Sequence, residues 1–115
     1  MIHTMKLQEE YFYYIKNGTK KYEIRLNDEK RQKIKVGDFI EFQKEPLLEE
    51  KIITKVTNLI YFPNFEKLFE NIDIRYLADK NVKKEKLIED LEVYYPKEKQ
   101  EKYGVLAIEV KLQDK

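Results

Sequence analysis

The 115-residue chain has no cysteine, one histidine and three glycines. Without thiols it forms neither disulfides nor thiolate zinc sites, and His3 alone leaves any metal site dependent on carboxylates. No cofactor is expected. No stretch approaches the roughly 18 consecutive apolar residues of a membrane span, and the opening MIHTMKLQEE lacks the apolar run of a signal peptide. The expectation is a cytoplasmic protein with no membrane partner. A one-sided charge is missing too: 23 Lys and Arg face 22 Asp and Glu, for a net +1. The surface as a whole therefore has no general attraction for a phosphate backbone, and any anion site must be local.

What is present is enough to build a core. Hydrophobic residues make up 42% of the chain, and nine Tyr and six Phe supply all the aromatics, against 39% charged residues. This balance argues against disorder. A chain of this length fits one domain, residues 1–115, burying roughly two thirds of its unfolded surface.

Charge is unevenly placed. Between Lys20 and Lys35 seven basic residues (Lys20, Lys21, Arg25, Lys30, Arg31, Lys33, Lys35) face three acids (Glu23, Asp28, Glu29), a local +4. Inside this stretch Tyr22, Ile24 and Leu26 share one parity, and Lys21, Glu23 and Arg25 share the other. That is the period of a strand with one buried face. Its other face meets bulk water or lines a polar cleft.

Residues 2–7 read as a first strand, and residues 8–17 as a helix that stops at Asn17-Gly18. Residues 27–35 read as a loop with one helical turn, and Val36-Gly37-Asp38 as a tight turn into a strand over 39–42. Residues 51–60 alternate as a strand. Asn64 is a suitable N-cap for a helix over 65–70, and residues 79–94 form a second helix ended by Pro96. The charged segment KEKQEK is expected to be exposed, and VLAIEVKL forms the closing strand. This order is not the regular alternation of a doubly wound sheet. It predicts an α+β fold, a small mixed or antiparallel barrel with flanking helices.

The run GTKKYEIRLNDEKR, Gly18 to Arg31, followed by IKVGDFIEF, resembles the signature of the ASCH domain family, a branch of the PUA-like β-barrel superfamily. The similarity continues through FPNFEKLFE and the closing YYPKEKQEKYGVLAIEV, and so spans nearly the whole chain. It implies a barrel with an adjacent cleft and a role in binding RNA or handling a modified nucleoside or nucleotide. Some small members are similar to amidohydrolases that deacetylate N4-acetylcytidine, using a Lys two residues after a Gly, a Thr three residues beyond it, and a downstream acid. Gly18, Thr19 and Lys20 match the first element, but Glu23 stands where the Thr is expected. A carboxylate is not a hydroxyl nucleophile, so that reaction is lost here or takes another course. Glu66, Glu70 and Asp73 are the candidates for the acid. Other members have been associated with ribonuclease activity, which attaches to no particular residue here.

Under this resemblance Arg25 is the principal contact to an anion or base edge, and Glu23 orients it or accepts from a base amino group. The competing reading is an exposed charge ladder worth under about 1 kcal/mol per pair. Lys20, next to a helix-ending glycine, would hang over the cleft mouth and serve as a base if desolvated, or would be an ordinary surface lysine. Asp28 and Arg31 have the spacing of a local ion pair, with Arg31 also placed to touch an anionic ligand. His3 would line the cleft or serve structure alone. Tyr103 would stack on a base or belong to the core. Gly37 and Asp38 read as turn chemistry.

Overall fold

The computed structural model describes residues 1–78 and 81–113. Strand β1 (Ile2–Leu7) leads into helix α1 (Glu9–Lys16), β2 (Tyr22–Leu26), a 3-10 turn at Arg31–Lys33, β3 (Phe39–Lys44) and the long β4 (Lys51–Phe62). Helix α2 (Phe65–Asn71), a second 3-10 turn (Ile74–Tyr76), α3 (Lys84–Tyr94) and α4 (Lys97–Tyr103) precede β5 (Val105–Leu112). The strands form one sheet in the order β1-β3-β4-β5-β2. β1 and β3 run parallel, and the other neighbours are antiparallel. The mixed sheet curls into a half-barrel flanked by the four helices, the α+β architecture expected of a PUA-like fold. A parallel pair needs a long crossover, which α1, β2 and the Arg31 turn supply.

Residues sort into two apolar layers. Met5, Leu7, Phe12, Ile15, Ile40 and Phe42 gather with Leu106, Ile108 and Val110 on one side of β5. Ile24, Leu26, Phe65, Leu68, Phe69 and Leu87 gather with Val105 and Ala107 on the other. β5 is covered on both faces, which explains its nearly unbroken apolar run. Its partner β4 carries an irregularity between Val56 and Asn58, where an extra residue bends a strand and sharpens its twist. Tyr11 packs against both layers, and this places α1 over the junction where the site lies.

Two expectations need correction. The KEKQEK segment is helical, and it is exposed as expected except at Gln100, which is buried, 3% exposed. Its Oε1 accepts from the Phe65 N–H (3.2 Å) and its Nε2 donates to the Tyr95 carbonyl (2.8 Å). Composition suggested solvent, whereas a single buried amide makes α4 the tie between α2 and the end of α3. The second helix begins at Lys84. Asp79, where the sequence placed its start, lies outside the described residues.

Asn64 caps α2 as anticipated, accepting from Lys67 N–H. Gly18, at φ +84°, takes the left-handed conformation that reverses the chain after α1. Among the described residues no helix is long and apolar enough to cross a membrane.

Candidate functional site

β1 and β2 are the outer strands of the half-barrel, so each has an edge that no neighbouring strand completes. The seam between them is bridged by side chains. Arg25 Nη2, on β2, donates to the Lys6 carbonyl of β1 at 2.9 Å. Glu23 Oε1 accepts the Ile24 N–H at 3.1 Å. A buried backbone polar group left without a partner costs about 1–3 kcal/mol, and here a carboxylate and a guanidinium take the place of a missing strand.

The same two side chains form an ion cluster with Lys20. Arg25 Nε donates to Glu23 Oε2 at 3.0 Å, and Nη2 lies 2.8 Å from that oxygen. Lys20 Nζ lies 3.4 Å from Glu23 Oε1, donates to the Leu77 carbonyl at 2.7 Å, and sits 5.7 Å from the centre of the Tyr11 ring. Lys20 is 4% exposed and Glu23 5%. These are not the members of a solvated ladder. Strand parity did place Ile24 and Leu26 in the core and Lys21 in solvent, but Glu23 is buried as well. Lys20 is also not at a cleft mouth. The chain reversal at Gly18 turns it inward, and its ammonium rests on the cavity floor.

Burial pushes the Lys20 ammonium below the ordinary lysine value of 10.5 and the Arg25 charge adds to this, against the pull of Glu23. Burial also works against the Glu23 carboxylate, but Arg25, Lys20 and the Ile24 N–H together outweigh it and hold the group below the usual range. Arg25 is shifted upward despite its own burial, chiefly by Glu23. The cluster is thus a committed carboxylate and guanidinium beside a lysine that gives up its proton more readily than most.

Above this floor opens a cavity of about 400 Å³, within the range of ligand pockets. β1 contributes Lys6 and Leu7, α1 contributes Tyr11, and the segment after β3 contributes Glu45. α3 and its end form the remaining wall with Leu87, Asp90, Leu91, Val93, Tyr94 and Tyr95. Burial, aided by Glu10 and Asp90, pushes the Tyr11 phenol up to about 12, so it stays protonated. The Tyr95 ring leans on Phe65, with centroids 5.9 Å apart.

Of the residues singled out from sequence, the cavity brings together Lys20, Glu23 and Arg25. His3 lies elsewhere, its Nε2 2.8 Å from Asp38 Oδ2. Asp38 also accepts the Lys35 N–H, and these two contacts hold its carboxyl down at about 2. The residue read as turn chemistry therefore also anchors β1. Arg31 is not among the lining residues. The Asp28 carboxylate accepts its backbone N–H at 3.1 Å, and its Nε is buried without a partner among the described residues. Tyr103 is likewise outside the cavity, donating to Glu29 at 3.2 Å. Glu66, Glu70 and Asp73 are exposed and line no part of it. Besides Glu23, the acids that do are Asp90 and Glu45, neither of which stands out in the sequence.

Tyr11, Tyr94 and Tyr95 were also missed. Tyr11 fits the apolar spacing of α1, and the Tyr94-Tyr95-Pro96 run reads only as a helix end. Among the described residues no three His, Asp or Glu side chains gather as a metal site.

The ASCH domain family model matches residues 5–113. No curated protein matches the chain. Among solved structures, the crystal structure of hypothetical protein PH0355 is 36% identical, with a TM-score of 0.87, covering 98% of this chain and all of that one. The solution NMR structure of protein PF0455 from Pyrococcus furiosus is 33% identical, with a TM-score of 0.79 and full coverage of both chains. With a family match over nearly its whole length and two relatives of the same fold, the chain belongs to the ASCH domain family.

Proposed function

We propose that this protein binds RNA or a nucleotide by holding a base in the cavity between β1 and β2, with Arg25 as the principal polar contact. The observation that carries this reading is a buried ionic floor under aromatic walls. A heterocycle has apolar faces that suit Tyr11 and Tyr95, and a polar edge that suits a fixed cation. Glu23 spends Oε1 on Ile24 and Lys20, and Oε2 on Arg25. Its role is therefore to orient Arg25 rather than to accept from a base. Glu23 and the Lys6 carbonyl engage Nε and Nη2, and the guanidinium also hydrogen-bonds the Tyr95 side chain, so its charge is held in one place for the polar edge of a ligand.

The test uses short single-stranded RNA and the four ribonucleosides, with binding followed by fluorescence anisotropy and calorimetry. Arg25→Lys keeps the charge and loses the fork. It is expected to weaken binding by about 5- to 150-fold, the value of one good polar contact to a base. Unchanged affinity in a folded Arg25→Lys protein would count against the assignment. Absence of binding by the wild type would remove it.

A second reading rests on the lowered Lys20 ammonium. A buried lysine that deprotonates easily is a usable general base, and the same floor would then hydrolyse the amide of a modified pyrimidine such as N4-acetylcytidine. Water would add to the acetyl carbon as Lys20 takes its proton. The C–N4 bond would break as that proton passes to the leaving amine, giving acetate and cytidine. Because the neutral amine is the active form, cytidine release, followed over roughly pH 6 to 9, is expected to rise with pH until Lys20 is deprotonated. Unchanged N4-acetylcytidine over that range, with intact binding of nucleosides, would leave a binding protein and no hydrolase.

A further inference from the structure

We propose that Tyr94 is an outer stacking platform for the nucleotide adjoining the one held inside, so that the site takes a single-stranded segment rather than a free nucleoside. The inference rests on the nucleotide-binding reading and adds a second base position to it.

Tyr94 lines the cavity, yet it is 66% exposed, and Val93 beside it is 76% exposed. Elsewhere in α3 the apolar residues turn inward: Leu87 is buried, and Leu91 packs against the second core layer. A helix that buries its leucines and leaves an adjoining valine and tyrosine in water at the lip of a cavity presents an apolar surface with no partner in the chain. The helix ends at this point. Tyr95 departs to φ −128°, ψ 80°, and the two successive rings diverge. Tyr95 turns in against Phe65, and Tyr94 remains outside.

The opening also carries an exposed cation, Lys6, suited to the phosphodiester that joins two bases. Among the acids of the lining, Glu23 is held between Lys20 and Arg25, and Asp90 is paired with Lys86 at 2.9 Å. Glu45 and the exposed Lys6 are the remaining charges of the lining. Lys6, Lys20 and Arg25 balance Glu23, Glu45 and Asp90 in the lining, and of the three cations Lys6 is the one exposed at the surface, placed to meet a phosphate. A single phosphodiester carries one negative charge. A base stacked on a tyrosine ring gains affinity whatever its identity, because every base has a π-face.

The experiment compares cytidine, uridine, adenosine and guanosine with the four tetraribonucleotides of one base each, using the full chain and its Tyr94→Ala and Tyr94→Phe variants. Tyr94→Ala is expected to weaken tetranucleotide binding by about 5- to 150-fold, the range for one stacked base. Nucleoside affinity should stay within about twofold, and Tyr94→Phe, which keeps the ring, should restore the tetranucleotide. Because Tyr94 is largely exposed, the thermal midpoint serves as the control for folding. Two results would overturn the platform while sparing the cavity reading: tetranucleotides binding no tighter than nucleosides, or Tyr94→Ala weakening both ligands equally. If the wild type binds neither class, the cavity reading fails and takes the platform with it.

Discussion

Glu23→Ala is expected to cost about 3–5 kcal/mol of folding stability, because it leaves the buried Lys20 and the part-buried Arg25 without the carboxylate between them. Lys20 and Arg25 both reach Glu23 within 3.4 Å, and the Ile24 N–H loses its acceptor at the same time. For a domain of this size the loss corresponds to a fall in Tm on the order of 10–20 °C. Glu23→Gln should cost less, since it retains an oxygen for Arg25 and about the same volume. A Lys20→Met change made together with Glu23→Ala removes one of the two stranded charges, and should destabilise less than the two single effects added. The deficit of Glu23→Ala should also shrink in alkali. Lys20 already has a lowered pKa in the native protein, so between that value and the ordinary 10.5 the unfolded chain binds more protons and stability rises with pH. Without Glu23 this window widens downward. Urea titration at several pH values measures all of this, and a Glu23→Ala loss below about 1 kcal/mol would show that the cluster is better solvated than its geometry indicates.

Phe65→Ala is expected to lose a similar amount, about 3–5 kcal/mol, by opening a void in the second core layer. Phe65 is 1% exposed and stands at the start of α2, against Tyr95. Its backbone N–H stays with Gln100, so the loss reports packing rather than capping. The consequence reaches the site, because Tyr95 is held from behind by Phe65 and through its carbonyl by Gln100. With the ring unsupported, ligand binding should weaken further in a variant still folded at low temperature. Phe65→Leu fills most of the space and should cost no more than about 1.5 kcal/mol. Equilibrium denaturation of both variants decides the matter, and equal stabilities would mean that the core closes around the missing ring.

Local pattern carried the strands, because a sheet covered on one face writes its period into the chain. Tyr22, Ile24 and Leu26 gave the register of β2, and Asn64 and Gly18 marked helix boundaries through backbone chemistry that acts within a few residues. The KEKQEK segment shows where such reasoning stops. Its composition describes a solvated surface, while the one residue that matters, Gln100, is buried by partners 5 and 35 positions away. The cavity is a harder case of the same kind. Lys20, Glu23 and Arg25 lie close in sequence and were legible as a group, but Lys6 joins them only across the seam from β1, and Asp90 and Tyr94 only because α3 folds back over that seam.

Period and composition were thus sufficient for an α+β chain with a charged second strand, and the family resemblance drew the eye to Glu23 and Arg25. That these charges are enclosed rather than solvated follows from chain reversal and helix placement, which act over distances no local pattern records. Desolvation then sets their chemistry. In water three neighbouring charges would be nearly independent, whereas between α3 and β2 each one holds the others in place.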